Sequence, residues 1–252
     1  MMSEWIHLKK DFLKKIIVKG NEGQRPRFWS QVNVKISKFP QDSDLEEQIS
    51  LPSESSSEEE FSGLRIGVPQ DECSRIVDIC LLLMDECEVS QFRTKTRDGG
   101  WIRFQIHLIS IVHQPLLVPF WEVPEVMDVS KQLKELGISL YRDNRSIDSF
   151  HLFSRALKLV LPIEVRLTKQ LADNAENKDK EKELWKKEIS IQVTSLYNNL
   201  AACQLANDNY SYVLHLCDQA LERNQSDPKT VYRKVSALIG KFNVIKFLCI
   251  YF

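Results

Sequence analysis

From Val126 onward the 252-residue chain keeps a 34-residue register, and this constrains its fold more than any other feature. Tyr197 and Val231, Ala201 and Val235, and Leu205 and Ile239 are each 34 apart, as are the polar Asn199 and Arg233. Gly137 and Ala201, and Ala156 and Ala220, are both 64 apart, which is one unit of 34 plus an insertion of 30. Because both pairs are displaced equally, the insertion lies between Ala156 and Ala201, in the charged stretch "TKQLADNAENKDKEKELWKKEIS". A unit of this length predicts a helix pair, with small residues where helices approach closely. The segments "MDVSKQLKELGISLYRDN" and "RSIDSFHLFSRALKLVL" carry apolar residues at i, i+3 and i+4, with a break at Asp143, Asn144 and Arg145. A third unit opens at "DPKTVYRKVSALIGKF" and runs into the apolar "NVIKFLCIYF" without a second helix, which predicts a truncated third repeat.

The first half of the chain has another period. "DFLKKIIVKG", "VSQFRTKT" and "WIRFQIHLISIV" read as strands, the last two joined at Gly99-Gly100, and "CSRIVDICLLLMDECE" reads as a short helix. Residues 1–40 hold nine Lys and Arg against three Asp and Glu, whereas 41–60 hold eight acidic residues and no basic one. That shift marks an acidic disordered insertion, and the lysines before it read as solvated strand faces rather than a nucleic-acid patch. Three prolines in "HQPLLVPFWEVP" forbid a continuous helix or central strand. The predicted organisation is an α+β domain over residues 1–115 with its insertion at 41–60, a linker at 116–126, and an all-α repeat domain over 127–252.

Bulk properties exclude several functions. With 34 basic and 35 acidic residues, the chain has no global attraction to nucleic acid or anionic membrane. The N-terminus lacks a secretory signal pattern, and no run reaches transmembrane length. Cys73, Cys80, Cys87, Cys203, Cys217 and Cys249 form no C-x-x-C pair and lie mostly among apolar residues, as expected of reduced core thiols in the cytoplasm, with the nucleus as a further compartment. Neither metal nor cofactor is expected: the five histidines are scattered, His215 with Cys217 reads as helix packing, and there is no glycine-rich phosphate loop.

Lys134, Asn199, Lys229 and Arg233 all fall on the first helices of their units, and the last two are i, i+4 neighbours on one face. Two lysines, a guanidinium fork and an amide suit a peptide's terminal carboxylate and its acidic side chains. The spacing alone leaves unrelated surface charge equally open.

A resemblance bears on that choice. "KELGI", "YNNLAAC" and "KTVYR" resemble the tetratricopeptide domains of large immunophilins and other heat-shock protein 90 co-chaperones, whose carboxylate clamp carries lysine, asparagine, and lysine with arginine at these places. The resemblance implies that Lys134, Asn199, Lys229 and Arg233 bind the acidic C-terminal peptide of heat-shock protein 90, with Asn199 facing the ligand and Asn198 facing solvent. One clamp asparagine is replaced by Ile138, a loss worth about 1–3 kcal/mol where an amide would meet a carboxylate. "FLKKIIVKGNEGQRP", "LRIGVPQDECSRIVDICLLLMDEC" and "IRFQIHLISI" resemble a reduced FK506-binding domain, and "PFWEVP" resembles the linker that joins such domains to repeats. The implied fold is a small, degenerate FK506-binding-like sheet domain followed by a tetratricopeptide domain.

Active members of that family hold a proline ring in an aromatic pocket. Here Val77 stands where the resemblance places the pocket tryptophan, the acidic stretch replaces one loop, and "TRDGG" shortens another. Trp29, Phe92 and Trp101 read as core aromatics. The expectation is therefore a non-catalytic co-chaperone or adaptor. The alternatives are a residual peptidyl-prolyl isomerase and a repeat scaffold for another protein.

Overall fold

The computed structural model describes residues 5–38, 58–173 and 180–251, with nothing said of side chains beyond Phe242. The chain divides into two compact units at Leu117 and Val118.

The first unit is one antiparallel sheet with a short helix. Strands β1 (Ile6–Lys9), β2 (Phe12–Val18), β3 (Gln31–Lys38), β4 (Glu58–Arg65), β5 (Val89–Lys95) and β6 (Trp101–His113) lie in the order β1-β2-β5-β6-β3-β4. The long β6 is central, pairing β5 through Phe92 opposite Phe104 and β3 through Val34 opposite Leu108. Helix α1 (Glu72–Leu81) starts at Asp71, whose carboxylate accepts from the Ser74 amide at 2.7 Å while the Ser74 hydroxyl accepts from the Asp71 amide at 2.9 Å. This reciprocal cap satisfies two helix-end donors. The core joins Val32, Val34, Ile106 and Leu108 from the sheet to Cys80, Leu81 and Met84 from the helix and the turn after it. Phe92 is fully buried between Phe12 and Phe104, with ring centroids 6.0 and 5.8 Å away.

Two expectations for this unit need correction. Residues 58–60, assigned to the disordered insertion, are the first residues of β4, paired with β3 through Ser37–Glu58 and Ile36–Glu59. Edge pairing accepts glutamates whose side chains project to solvent, so acidic composition did not preclude a strand. The rest of the insertion, 41–57, lies outside the described residues. Lys14 is not on a solvated strand face: it is buried, with its ammonium 2.7 Å from the equally buried Glu88. Arg25, by contrast, is exposed and pairs with Asp85 at 3.0 Å; its hydrogen bond holds that carboxyl below the usual carboxylate value.

The second unit is helical. After a 3-10 turn at Val118–Phe120 come α2 (Val123–Arg142), α3 (Ser146–Asp173), α4 (Lys180–Leu205), α5 (Tyr210–Leu221) and α6 (Pro228–Tyr251). Each helix packs on the next, and α4 also touches α2 and α6, as stacked helix pairs require of their first helices. The predicted linker 116–126 is shorter than expected because α2 begins at Val123; Pro124 is tolerated in a first turn, where its missing N–H has no intrahelical partner. The charged connector is helical over much of its length: α3 continues through Pro162 to Asp173 and α4 starts at Lys180, with 174–179 outside the described residues.

Gly137 explains the small-residue register. A Cβ there would lie 2.6 Å from the Phe153 ring, so the α2–α3 contact is closed to any larger residue. The Gly137 carbonyl also accepts from the Ser149 hydroxyl at 2.7 Å. The chain thus combines an antiparallel sheet domain with stacked helix pairs, the α+β order expected from the sequence.

The cysteines divide differently from the expectation. Among the described residues Cys80, Cys203 and Cys217 are buried, but Cys73 and Cys87 are exposed; the Cys249 side chain lies outside them. Burial pushes the thiols of Cys203 and Cys217 up to about 11 and raises that of Cys80 as well. Since the thiolate is the nucleophile, iodoacetamide at neutral pH is expected to label Cys73 and Cys87 first, and the three buried thiols only on unfolding. Peptide mass mapping of a timed reaction checks this; early labelling of Cys203 would contradict the packing of α4 on α3.

Candidate functional site

The site is assembled where α4 meets the start of α6. The "DPKT" sequence makes α6 begin there: Pro228 occupies the first helical position, and the Asp227 carboxylate caps the helix by accepting from the Thr230 amide at 2.8 Å. Asn198 of α4 holds that cap. Its amide nitrogen donates to Asp227 Oδ2 at 2.8 Å, and its Oδ1 accepts from Arg233 at 3.2 Å. The buried Thr230 hydroxyl lies 2.6 Å from Asp227 Oδ2 and 2.8 Å from Asn198 Oδ1, so its single hydrogen serves one of them at a time.

Burial works against ionisation of Asp227, yet the bonds from Thr230 and Asn198 and the nearby Arg233 hold its carboxyl below 3.8. The cap is therefore an anion at neutral pH. This overturns the expectation that Asn198 faces solvent: it is 6% exposed and bonded on both amide atoms. Its neighbour Asn199 is half-buried and lines the open space beside α6.

A cavity of about 840 Å³ lies here, and three of the four predicted residues, Asn199, Lys229 and Arg233, line it. Lys229 is exposed, while Arg233 is half-buried and fixed by Asn198. The two cations also border a second cavity of about 570 Å³, with Tyr141, Leu205 and Tyr232. Lys134 lines neither of these cavities. Its ammonium donates to Gln192 Oε1 at 2.7 Å, and the buried Gln192 donates in turn to the Ser130 hydroxyl at 3.1 Å. Burial lowers the pKa of Lys134.

Register reasoning missed Arg223, which lies just beyond α5 and lines the first cavity. It forms a two-point pair with Glu164, at 3.0 and 2.8 Å, and its guanidinium lies 5.4 Å from the centre of the Tyr197 ring. Since it follows a helix end rather than lying on a first helix, no 34-residue spacing could have marked it.

In the sheet unit, Val77 lies on α1 and packs against the core, and Phe92 is interior. Trp29 is buried with φ of 72°, under the guanidinium of Arg65 at 5.0 Å. Trp101 lies at the start of β6, with Arg93 and Lys95 within 4.6 and 5.2 Å of its ring centre.

Together these features define a two-part protein: an antiparallel sheet with a short helix, and a unit of stacked helix pairs with a basic, amide-lined cavity. No protein-family profile matches the chain. It is 24% identical to Protein Bride of doubletime of Drosophila melanogaster over 239 residues, which are 93% of this chain and 79% of that protein. A crystal structure of residues 1-211 of CG17282 is similar in fold, with a TM-score of 0.59 and 22% identity over 84% of this chain and 98% of that one. A multi-domain immunophilin from Arabidopsis thaliana aligns with 93% of this chain and 90% of its own at 14% identity and a TM-score of 0.41.

Proposed function

We propose that the protein is a non-catalytic adaptor of co-chaperone type, whose repeat unit grips the C-terminal carboxylate of an acidic partner peptide. The acidic tail of heat-shock protein 90 is the partner that the sequence resemblance suggests. The observation that carries this reading is the convergence of Asn199, Lys229 and Arg233, from two helices, on one cavity. Arg233 offers a fork for two carboxylate oxygens, Lys229 a mobile charge, and Asn199 a neutral donor. Lys134, tied to Gln192 outside that cavity, acts as a neighbouring charge unless the ligand draws it across.

The sheet unit serves as an interaction module rather than an isomerase. Supporting this, Val77, Phe92 and Trp29 are packed into the fold rather than offered to a proline ring. Among the described residues no helix is long and apolar enough to cross a membrane. We place the protein in the cytoplasm or nucleus, where such partners and reduced thiols occur.

Calorimetric titration with a peptide ending Met-Glu-Glu-Val-Asp tests the carboxylate reading, with the C-terminally amidated peptide and the Arg233→Ala variant as controls. Binding is expected to weaken with salt and to fall by about tenfold or more in each control, as for truncation of one partner of a charge-assisted contact. Equal affinity for acid and amide would remove the clamp. A proline-peptide isomerisation rate above background would instead establish an enzyme.

A further inference from the structure

The 34-residue register leaves the first half of α4 unexplained. It sets Thr194 against Pro228, where α6 starts, yet α4 begins fourteen residues earlier at Lys180. At 1.5 Å per residue the overhang is about 21 Å long. It is continuous with the site already described. Lys186, Ser190, Thr194 and Asn198 follow one another in steps of four along a single helix stripe, and all line the same cavity. Lys187 lines it too.

The charge along this cavity is uneven. Its basic lining residues are Lys186, Lys187, Arg223, Lys229 and Arg233, and its acidic ones are Glu183 and Asp227. Most of the inner charges are already answered: Arg223 by Glu164, and Asp227 by Thr230 and Asn198. Lys186 and Lys187 are exposed, and neither forms an ion pair among the described residues. Two unanswered cations thus stand at the far end of a groove whose near end is built for a carboxylate.

We propose that the α4 overhang is a second anionic subsite, at which Lys186 and Lys187 select partners carrying an acidic side chain about five residues before their C-terminal carboxylate. The spacing follows from geometry. Lys187 lies twelve positions before Asn199, about 18 Å along the helix, and an extended peptide covers this in about five residues at 3.3–3.6 Å each. The inference rests on the carboxylate reading above and supplies what that reading lacks, a rule for which acidic tails are preferred.

The test uses the full chain and two synthetic peptides with free C-termini, identical except for Glu or Gln five residues before the C-terminal residue, each also prepared as the amide. The unaltered protein is expected to bind the Glu peptide about fivefold more tightly, a modest margin in keeping with semi-exposed ion pairs. In the Lys186→Gln, Lys187→Gln double variant that preference should shrink to less than twofold, while the loss on amidation persists. Both lysines are exposed, and matching circular dichroism and thermal midpoints would verify that the variant is folded. Equal binding of the Glu and Gln peptides, with the amide still discriminated against, overturns the second subsite and leaves the clamp standing. Failure of every peptide to bind removes the clamp and this inference together.

Discussion

Glu88→Ala is expected to destabilise the sheet unit by about 3–5 kcal/mol, the range for removing one partner of a buried ion pair. The Lys14 ammonium is 2.7 Å from Glu88 Oε1, and the two side chains are only 6% and 2% exposed. Around them, Lys14 also donates to the Leu83 carbonyl at 2.5 Å, and Glu88 accepts from the Ser90 hydroxyl at 2.5 Å and the Asp85 amide at 2.9 Å. Removing the carboxylate leaves an ammonium in an apolar interior with one carbonyl for company, at the junction of β2, β5 and the turn after α1. Amide hydrogen exchange in β2 and β5, together with urea unfolding, reads the loss. The joint change Lys14→Met with Glu88→Leu should recover most of it, because an apolar pair of similar volume carries no charge to desolvate. If the double variant is as unstable as the single one, the hydrogen bonds that Glu88 accepts from Ser90 and Asp85, rather than relief of an unpaired charge, hold this junction.

The second large effect separates the adjacent asparagines. Asn198→Leu is expected to cost about 2–3 kcal/mol in stability, since it strips the buried partners from Asp227 and Thr230 and leaves them short of hydrogen bonds. It should also weaken acidic-peptide binding about tenfold, because Arg233 loses the oxygen that fixes it. Asn199→Ala should weaken binding while changing stability by no more than about 0.5 kcal/mol, as for a half-exposed residue outside the packed network.

Thermal unfolding and calorimetry on both variants make the comparison, and pH adds a check with a definite sign. The folded-state pKa of Asp227 is depressed below 3.8, so its contribution to stability is present above that value and is lost as pH falls through the lower folded one. Asn198→Leu should shrink this acid-side loss. Unchanged stability in Asn198→Leu would mean that the cap of α6 does not depend on α4.

Much of the architecture was legible in residues whose role is local or periodic. The break at Asp143–Arg145, the small Gly137 opposite Phe153, the "DPKT" start of α6 and the alternation in β5 and β6 each encode their element through backbone preference or side-chain period. The matched 34-residue register carried Asn199, Lys229 and Arg233 to one cavity, because stacked first helices repeat their faces at that interval. Helix boundaries were less legible. Pro124 read as part of a helix-forbidding linker but occupies the first turn of α2, and α3 runs on through Pro162 to Asp173.

By itself, then, the sequence determined that a strand-rich half precedes stacked helix pairs, and which faces of those helices meet, since these follow from period, turn chemistry and residue size. Only the tertiary structure decided the strand order β1-β2-β5-β6-β3-β4, the burial of Lys14 against Glu88, and which of two neighbouring asparagines is structural. Asn198 and Asn199 are chemically identical and one residue apart, so propensity treats them alike. On a helix that single step is a rotation of about 100°, enough to tie the Asn198 amide into the α6 cap and leave that of Asn199 half-buried at the cavity wall.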